Sequence, residues 1–361
     1  MLFARILPIL TTFFSLLIAA QASAVELPDD AEVEEFMRQA HVPGLAIAWL
    51  TGGEVVDVRY YGVSDIDLGE PVTDNTVFEA ASLTKPMLAY MAVSLNDEGR
   101  INLDRPLAET WQSPRVTDTE YYPMLTPRLI LSHRTGMPNW AGDPRDPETW
   151  EAIPFKWPPG EAFGYSGEAY MLLQAYMAAE TGETFGGFFD CVLAGDMYGT
   201  ALDHVPDGAV PAYGHDGKGQ KGFRSRTLDV ASAPGGAYSA LTSAADYARF
   251  VSRVCRGEGL GPEAHRAMLK PQGPVEEKSS VYWALGWGVV PDGGKPIYFH
   301  WGDNDVFKAF VAFRGDSCDG VVYFANAQGG LKLIGPLAGP VVGDLSPVID
   351  WLGYGAPGDV D

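Results

Sequence analysis

A serine and a lysine stand three residues apart in the segment EAASLTKPML, which runs from Glu79 to Leu88. Residues at this spacing share one face of a helix, so the amine of Lys85 can reach the hydroxyl of Ser82. Serine becomes an effective nucleophile only when a base takes its proton. Lysine can be that base only if its pKa falls from about 10.4 towards neutrality. The spacing therefore indicates a nucleophile and a base for acyl transfer.

The start of a helix suits this chemistry. Its unpaired N–H groups and positive dipole end disfavour an ammonium ion and stabilise a developing oxyanion. Pro86 is compatible with the first turn, because the N–H groups there have no helical partner. A Ser-x-x-Lys match also arises by chance in a chain of this composition, and Ser82 could simply cap the helix. The pair alone is therefore weak evidence.

Strand signals lie towards both ends of the chain. Two β-rich runs flank the Gly52-Gly53 pair, and four more follow one another at hairpin spacing near the C-terminus: VYWALGWGVV, PIYFHWG, VFKAFVAFRGD and GVVYFANA. Helical spacing is found before the first strands, in DDAEVEEFMRQAHVPG, and after the last ones, in LSPVIDWLG.

Between these ends the chain changes character. Helix-like segments such as TPRLILSHRTG and EAYMLLQAYMAAETG alternate with loops rich in proline and glycine. The pattern predicts an α/β fold of the α+β kind, in which an antiparallel sheet is built from both chain ends and flanked by helices, with a mostly helical insertion. The predicted boundaries are 25–361 for a single domain, 25–100 and 230–361 for its α/β part, and 101–229 for the insertion.

Charge and composition exclude some partners. The 361 residues include 47 acidic and 25 basic side chains, for a formal net charge of −22. Such a chain has no evident basic surface for nucleic acid or for an anionic membrane. A hydrophobic share of 46% is typical of a globular protein.

The first residues resemble a cleavable export signal. Arg5 precedes the apolar run ILPILTTFFSLLIAA, and Ala22-Ser23-Ala24 is a small-residue cleavage site. An anchor helix is the alternative, but the run is short for one. We predict a signal peptide over residues 1–24 and a secreted or periplasmic mature protein with no stable membrane span.

The cysteines and the scattered histidines do not indicate a metal site. The chain has three cysteines, Cys191, Cys255 and Cys318, so at most two of them can pair with each other. Their spacing fits no metal site. His204 and His215 lack the paired spacing and placed carboxylate of a metal centre. We predict structural or incidental cysteines, and neither a metal nor a cofactor.

Five segments resemble the serine β-lactamase-like hydrolases, a group that includes class C β-lactamases, penicillin-binding D,D-peptidases and SxxK esterases. They are TVFEAASLTKPMLAYMAVSLNDEGRINLDRPL, LTPRLILSHRTGMPNW, WPPGEAFGYSGEAYMLL, SAPGGAYSALTSAADYARFV, and ALGWGVV with FHWGDNDVFKAFVAF. They occur in the order found in that group and span most of the predicted mature chain. The resemblance implies the fold of the group and a serine hydrolase activity.

Catalytic roles follow from this resemblance. It implies that Ser82 is the acylated nucleophile and that Lys85 is its base partner. Tyr165, which opens YSG, matches a tyrosine that moves protons between nucleophile, leaving group and water. A phenol has a pKa of about 10, so Tyr165 needs a nearby cation such as Lys85 to act as a base near neutrality. His133, in LSHRTG, matches a position that the group uses structurally.

The resemblance also implies a substrate-binding strand. His300, Trp301 and Gly302 align with a Lys-Thr-Gly motif beside the nucleophile, with histidine in place of lysine. Gly302 would let the substrate approach the strand, since a side chain would intrude. The oxyanion would be held by the backbone N–H groups of Ser82 and Asp303.

Departures from the pattern bear on the substrate. Gly167 replaces an asparagine that holds the substrate amide, and it offers no side-chain donor. The adjacent Glu168 would repel an anionic ligand, and His300 carries a less dependable positive charge than lysine. These differences favour substrates with neutral, apolar acyl or alcohol parts. The aromatic residues expected to line such a pocket are Trp140, Trp157, Tyr238 and Trp301.

The sequence therefore predicts an exported serine hydrolase that forms an acyl-enzyme on Ser82. We expect a carboxylesterase-like action on small esters or amides. One alternative is a D,D-peptidase or β-lactamase-type activity, and another is a non-catalytic binding protein that retains the fold. The identity of the small-molecule substrate and the oligomeric state stay open.

Overall fold

The computed structural model describes residues 27–144, 146–224 and 234–358. The predicted signal peptide, residues 1–24, lies outside these ranges. Within them, no helix is both long and apolar enough to span a bilayer.

Strands occur near both ends of the described chain, with smaller ones in between. In chain order they are β1 (Gly44–Thr51), β2 (Glu54–Asp65), β3 (Glu70–Pro71), β4 (Thr76–Glu79), β5 (Val210–Pro211), β6 (Tyr213–His215), β7 (Lys221–Arg224), β8 (Leu241–Thr242), β9 (Gly273–Pro274), β10 (Tyr282–Trp283), β11 (Gly288–Val290), β12 (Ile297–Asp303), β13 (Lys308–Arg314) and β14 (Gly320–Ala325).

Helices precede, interrupt and follow these strands. They are α1 (Asp30–Gln39), α2 (Thr84–Asp97), α3 (Pro127–Leu131), α4 (Gly167–Thr181), α5 (Phe185–Val192), α6 (Ala244–Arg256), α7 (Pro262–Leu269), α8 (Ile334–Val342) and α9 (Ser346–Leu352). The helix signals before β1 and after β14 thus correspond to α1 and α9.

The main sheet joins the two ends of the chain. Its strand order is β3-β2-β1-β14-β13-β12-β11-β10-β9, and its neighbouring strands are antiparallel. The first and last strands are adjacent, with Ala48 opposite Val322. The prediction of an antiparallel sheet built from both chain ends is confirmed.

Helices cover both faces of this sheet. Ala46 and Ala48 of β1 pack in a cluster with α2 and α6, whereas Leu45 and Ile47 pack in a second cluster with α1 and α8. The run from Leu45 to Leu50 is buried throughout. Burial on both faces explains why β1 lacks the alternation of apolar and polar residues that is usual in antiparallel strands.

The middle of the chain supplies α3, α4 and α5. TPRLILSHRTG contains α3, and EAYMLLQAYMAAETG forms most of α4. The side chain of Ser166 caps α4 by accepting a hydrogen bond from the N–H of Ala169 at 3.0 Å. Gly182, with φ of 75°, ends the helix in a left-handed conformation. These caps fix both ends of α4, whose N-cap Ser166 directly follows Tyr165.

One disulfide links the C-terminal end of α6 to the turn between β13 and β14. It joins Cys255 to Cys318, 63 residues apart in the sequence, while Cys191 is exposed and unpaired. The bridge fastens α6 to the sheet that it covers.

We expect the double variant Cys255→Ser/Cys318→Ser to be less stable by about 2–4 kcal/mol, because the unfolded chain gains conformational freedom when the loop is no longer closed. Urea denaturation of the mature protein measures this difference. The matched control is Cys191→Ser, which should leave the free energy of unfolding unchanged. Equal stability of the double variant and the wild type would contradict a structural role for the bridge.

Candidate active site

Ser82 lies in a short 3-10 turn, Ala81–Leu83, between β4 and α2. Ala81 has φ of 49°, a conformation that is uncommon for a residue with a side chain. The hydroxyl of Thr84 stabilises the turn, since it donates to the carbonyl of Ala81 at 2.8 Å and accepts from the N–H of Ala240 at 3.1 Å. Leu83 occupies the N-cap of α2, so the alternative in which Ser82 caps that helix is wrong.

Lys85 is fully buried in the first turn of α2. Its Nζ lies 2.9 Å from Oγ of Ser82 and donates to the carbonyl of Ala237, also at 2.9 Å. Aromatic rings surround the amine, with centroids at 4.9 Å for Tyr165, 5.8 Å for Tyr170 and 6.0 Å for Trp140. Burial lowers the pKa of Lys85 to about 7, so a large share of the amine is neutral near neutral pH.

The carbonyl that receives Lys85 is held in place from α4. Oε1 of Gln174 accepts from the N–H of Gly236 at 2.6 Å, and its Nε2 donates to the carbonyl of Pro234 at 2.7 Å. Both ends of one amide thus secure the turn that precedes Ala237. Sequence reasoning missed Gln174, although a single polar residue within the apolar run MLLQAYM is a signal for such a contact.

The hydroxyl of Tyr165 is buried and makes no hydrogen bond of good geometry to the described residues, while the residue as a whole is partly exposed. Burial raises the pKa of Tyr165 above its ordinary value; the Ser82 hydroxyl opposes this shift and the Asp303 carboxylate adds to it. Tyr165 is therefore a neutral phenol near neutral pH. It is suited to donate or relay a proton, and Lys85 is the group suited to accept one.

His133 contacts both the tyrosine and the residue after it. Its ring lies 4.3 Å from the ring of Tyr165, and its Nδ1 lies 3.1 Å from the backbone N–H of Ser166, from which it accepts a hydrogen bond. The neutral tautomer therefore carries its proton on Nε2. Burial lowers the pKa of His133 well below its ordinary value and keeps the ring neutral. His133 thus packs against the ring of Tyr165 and also positions the backbone that follows it through a hydrogen bond.

Gly167 is buried beneath Trp140. A Cβ at position 167 would lie 2.4 Å from the indole ring, so the ring occupies the space that a side chain there would need. The N–H of Gly167 donates to Oδ1 of Asn139 at 2.8 Å, which fixes the start of α4 against the loop before Trp140. The sequence did not indicate this pairing of a glycine with an aromatic ring from another loop.

Glu168 does not present a free charge to the site. Its side chain is only 3% exposed, pairs with the guanidinium of Arg115 and accepts from the N–H of Ala141 at 3.0 Å. The repulsion of anionic ligands expected from the sequence is not supported by this geometry.

His300, Trp301, Gly302 and Asp303 form the C-terminal end of β12. His300 is fully buried, and its Nδ1 lies 2.8 Å from the carbonyl of Trp301. Burial lowers the pKa of His300 to about 3, so it carries no charge at neutral pH. A Cβ on Gly302 would lie 2.4 Å from the carbonyl of Ala80. Glycine at position 302 therefore makes room for the nucleophile turn against the strand. From the sequence, this glycine was expected to make room for the substrate.

The Asp303 carboxylate is tied to neighbouring groups. It pairs with Lys308 and accepts from the hydroxyl of Tyr354 at 2.9 Å. The end of β12 approaches the nucleophile turn at Gly302, the residue before Asp303, but the service of Asp303 in an oxyanion hole stays a prediction.

The structure brings most of the predicted residues together. The ring of Tyr165 lies 5.0 Å from that of Trp301 and 6.2 Å from that of His300. Among the aromatic residues expected to line a pocket, Trp140 and Tyr238 border a cavity of about 780 Å³. Trp157 and Trp301 lie outside its lining.

A sheet covered by helices on both faces, with a cluster of serine, lysine and tyrosine, is characteristic of the serine β-lactamase-like superfamily, and this chain has both. More narrowly, the chain belongs to the Beta-lactamase family, whose model matches residues 30–334.

Named proteins of several kinds are similar to it. Penicillin-binding protein 4 of Amycolatopsis lactamdurans is 26% identical over 341 residues, which cover 83% of this chain and 87% of that protein. Esterase EstB of Burkholderia gladioli is 28% identical over 207 residues, 51% of each chain. The solved structure of an octameric penicillin-binding protein homologue from Pyrococcus abyssi has a TM-score of 0.72 at 18% identity, covers 90% of this chain and 77% of its own, and shows the shared fold.

We expect Lys85→Met to raise stability at neutral pH and below, because it removes a buried amine. The unfolded chain keeps the Lys85 proton up to about pH 10, whereas the folded chain releases it near pH 7, so wild-type stability rises with pH between these values. The advantage of Lys85→Met should therefore be largest below pH 7 and shrink towards pH 10.

Denaturation at a series of pH values measures this difference. The exposed Lys278→Met is the matched control and should show no such trend. A Lys85→Met advantage that stays constant from pH 6 to pH 10 would show that the folded state does not lower the pKa of this lysine.

Proposed function

We propose that this chain is a serine hydrolase that forms an acyl-enzyme on Ser82, with small carboxylic esters or amides of neutral, apolar acyl groups as its preferred substrates. The observation that carries the proposal is the buried amine of Lys85, which lies 2.9 Å from the Ser82 hydroxyl with a pKa lowered to about 7. A surface lysine at this position would be an ammonium ion and could not accept the serine proton.

The proposed reaction begins when neutral Lys85 takes the proton of Ser82 and Oγ attacks the substrate carbonyl carbon. The backbone N–H groups of Ser82 and Asp303 hold the oxyanion. As the tetrahedral intermediate collapses, Tyr165 gives a proton to the leaving oxygen or nitrogen and regains one from Lys85. Water then attacks the acyl carbon and loses a proton to Lys85. The second intermediate collapses by breaking the bond to Oγ, which takes that proton from Lys85, so that the acid is released and Ser82 is restored.

Three features favour neutral ester or amide substrates over anionic ones. His300 is neutral, position 167 offers no side-chain donor, and the indole of Trp140 fills the adjoining space. None of these groups attracts a substrate carboxylate. The likeness to Esterase EstB supports ester hydrolysis.

The second candidate is a D,D-peptidase or β-lactamase-type activity. It is favoured by the likeness to penicillin-binding protein 4, which extends over most of both chains. The catalytic groups would serve in the same way, and only the substrate would differ.

We also propose that the protein is exported. The apolar run and small-residue cleavage site within residues 1–24 support this, as does the Cys255–Cys318 disulfide, because such bonds persist mainly in oxidising compartments.

The mature protein should hydrolyse p-nitrophenyl acetate, and a fluorophosphonate probe should label Ser82, as peptide mapping would show. Ser82→Ala should abolish both signals without unfolding the protein, whereas the exposed Ser280→Ala should retain them. Nitrocefin turnover that exceeds ester turnover would favour the second candidate. Absence of labelling and of turnover in the folded protein would indicate a binding protein instead.

The rate should also depend on pH through Lys85. Because the reaction needs the neutral amine, kcat/KM for a neutral ester should fall below about pH 7 and level off above it. Lys85→Ala should lower kcat/KM by on the order of 10²–10⁴, the usual range for loss of a general base. A kcat/KM that does not change between pH 5 and pH 9 would rule out Lys85 as the base.

A further inference from the structure

A cavity of about 780 Å³ lies beside α4, next to the reaction centre but separate from it. Its volume is within the range of small-molecule sites. Apolar side chains form most of its lining, among them Trp111, Trp140, Ile153, Leu172, Phe185 and Tyr238. Ser82, Lys85 and Tyr165 do not line it.

Trp140 separates the cavity from the reaction centre. Its indole lines the cavity, covers Gly167 and lies 6.0 Å from the Lys85 amine. It also contacts the ring of Tyr238, with 6.0 Å between centroids, and Tyr238 lines the same cavity. A group attached to Ser82 that extends past Trp140 would therefore enter the cavity.

Two of the polar side chains in the cavity wall, those of Glu168 and Gln174, are already engaged. The Glu168 carboxylate is bound by Arg115 and by the N–H of Ala141. Both ends of the Gln174 amide are bonded to the backbone at residues 234 and 236. An occupant gains little by offering hydrogen bonds to these groups, whereas apolar surface buried here is removed from water.

We infer that this cavity receives the acyl chain of the substrate and that Trp140 is the specificity-determining residue that limits how much of the chain enters. The inference rests on the proposed function and names the substrate class more narrowly, as esters of medium-chain aliphatic acids.

The acyl part fits this position better than the alcohol part. The leaving oxygen must face Tyr165, which gives it a proton. Tyr165 packs with His133, Trp283, His300 and Trp301, whereas Trp140 packs with Tyr238. The two rings thus belong to separate aromatic groups that both lie near the buried amine, so the acyl chain extends towards Trp140 when the alcohol lies against Tyr165.

The test compares p-nitrophenyl esters from acetate to octanoate. In the wild type, kcat/KM should rise by up to about fourfold for each added methylene while the chain still gains burial. Ala178→Phe places a ring in the cavity from α4 and should lower the hexanoate-to-acetate ratio at least tenfold. The exposed neighbour Ala179 does not line the cavity, so Ala179→Phe is the matched control and should keep the wild-type ratio. Trp140→Ala should move the preferred chain length upwards.

A second series, of alkyl acetates, varies the alcohol. If Ala178→Phe changes selectivity in that series and not in the acyl series, the inference is overturned. The inference is also overturned if Ala178→Phe and Ala179→Phe show the same dependence of kcat/KM on acyl chain length. If p-nitrophenyl acetate is still hydrolysed in that case, the proposed function survives.

Binding gives a readout that does not require turnover. In a Ser82→Ala background, tryptophan fluorescence can measure the Kd of p-nitrophenyl hexanoate and acetate. Tighter binding of hexanoate that Ala178→Phe removes and Ala179→Phe retains supports the inference, even if the wild type hydrolyses no ester and the proposed function fails. Equal binding of the two esters would overturn the inference.

Discussion

The site is built around an amine that has been removed from water without a carboxylate partner among the described residues. Lys85 is enclosed by aromatic rings and donates to one backbone carbonyl. Holding a lysine there opposes folding by on the order of a few kcal/mol, because the unfolded chain would keep it protonated in water. The same burial makes the amine a base at neutral pH. The stability lost at this residue and its chemical usefulness therefore have one cause.

Two glycines allow the elements that enclose the amine to converge. At Gly302 the end of β12 meets the carbonyl of Ala80, and at Gly167 the start of α4 meets the indole of Trp140. Either close approach would be blocked by a Cβ, at 2.4 Å in both cases. The sheet thus meets the nucleophile turn backbone to backbone, and the start of α4 meets an indole ring, which leaves little room for water around Lys85.

The parts of this arrangement that depend on local sequence could be predicted. Hairpin spacing indicated the sheet, and the three-residue spacing of Ser82 and Lys85 indicated their contact, because both are set by neighbouring residues. The partners of Gln174 and the placement of Trp140 over Gly167 depend on segments far apart in the chain. A lone polar residue in MLLQAYM signals that a contact exists, but no local pattern identifies the segment that it meets. The uncharged state of His300 likewise follows from burial, which only the folded packing determines.

The charges around the site, taken together, support the proposal of a neutral substrate more strongly than any single residue does. Among the described residues, His300 is neutral, the Glu168 carboxylate is paired with Arg115, and the Asp303 carboxylate is paired with Lys308. Lys85 itself is only partly charged near pH 7. A formal net charge of −22 further disfavours the approach of anions. Much of what remains to hold a ligand is apolar surface and backbone, which suits the acyl chain and the carbonyl oxygen of the proposed substrate.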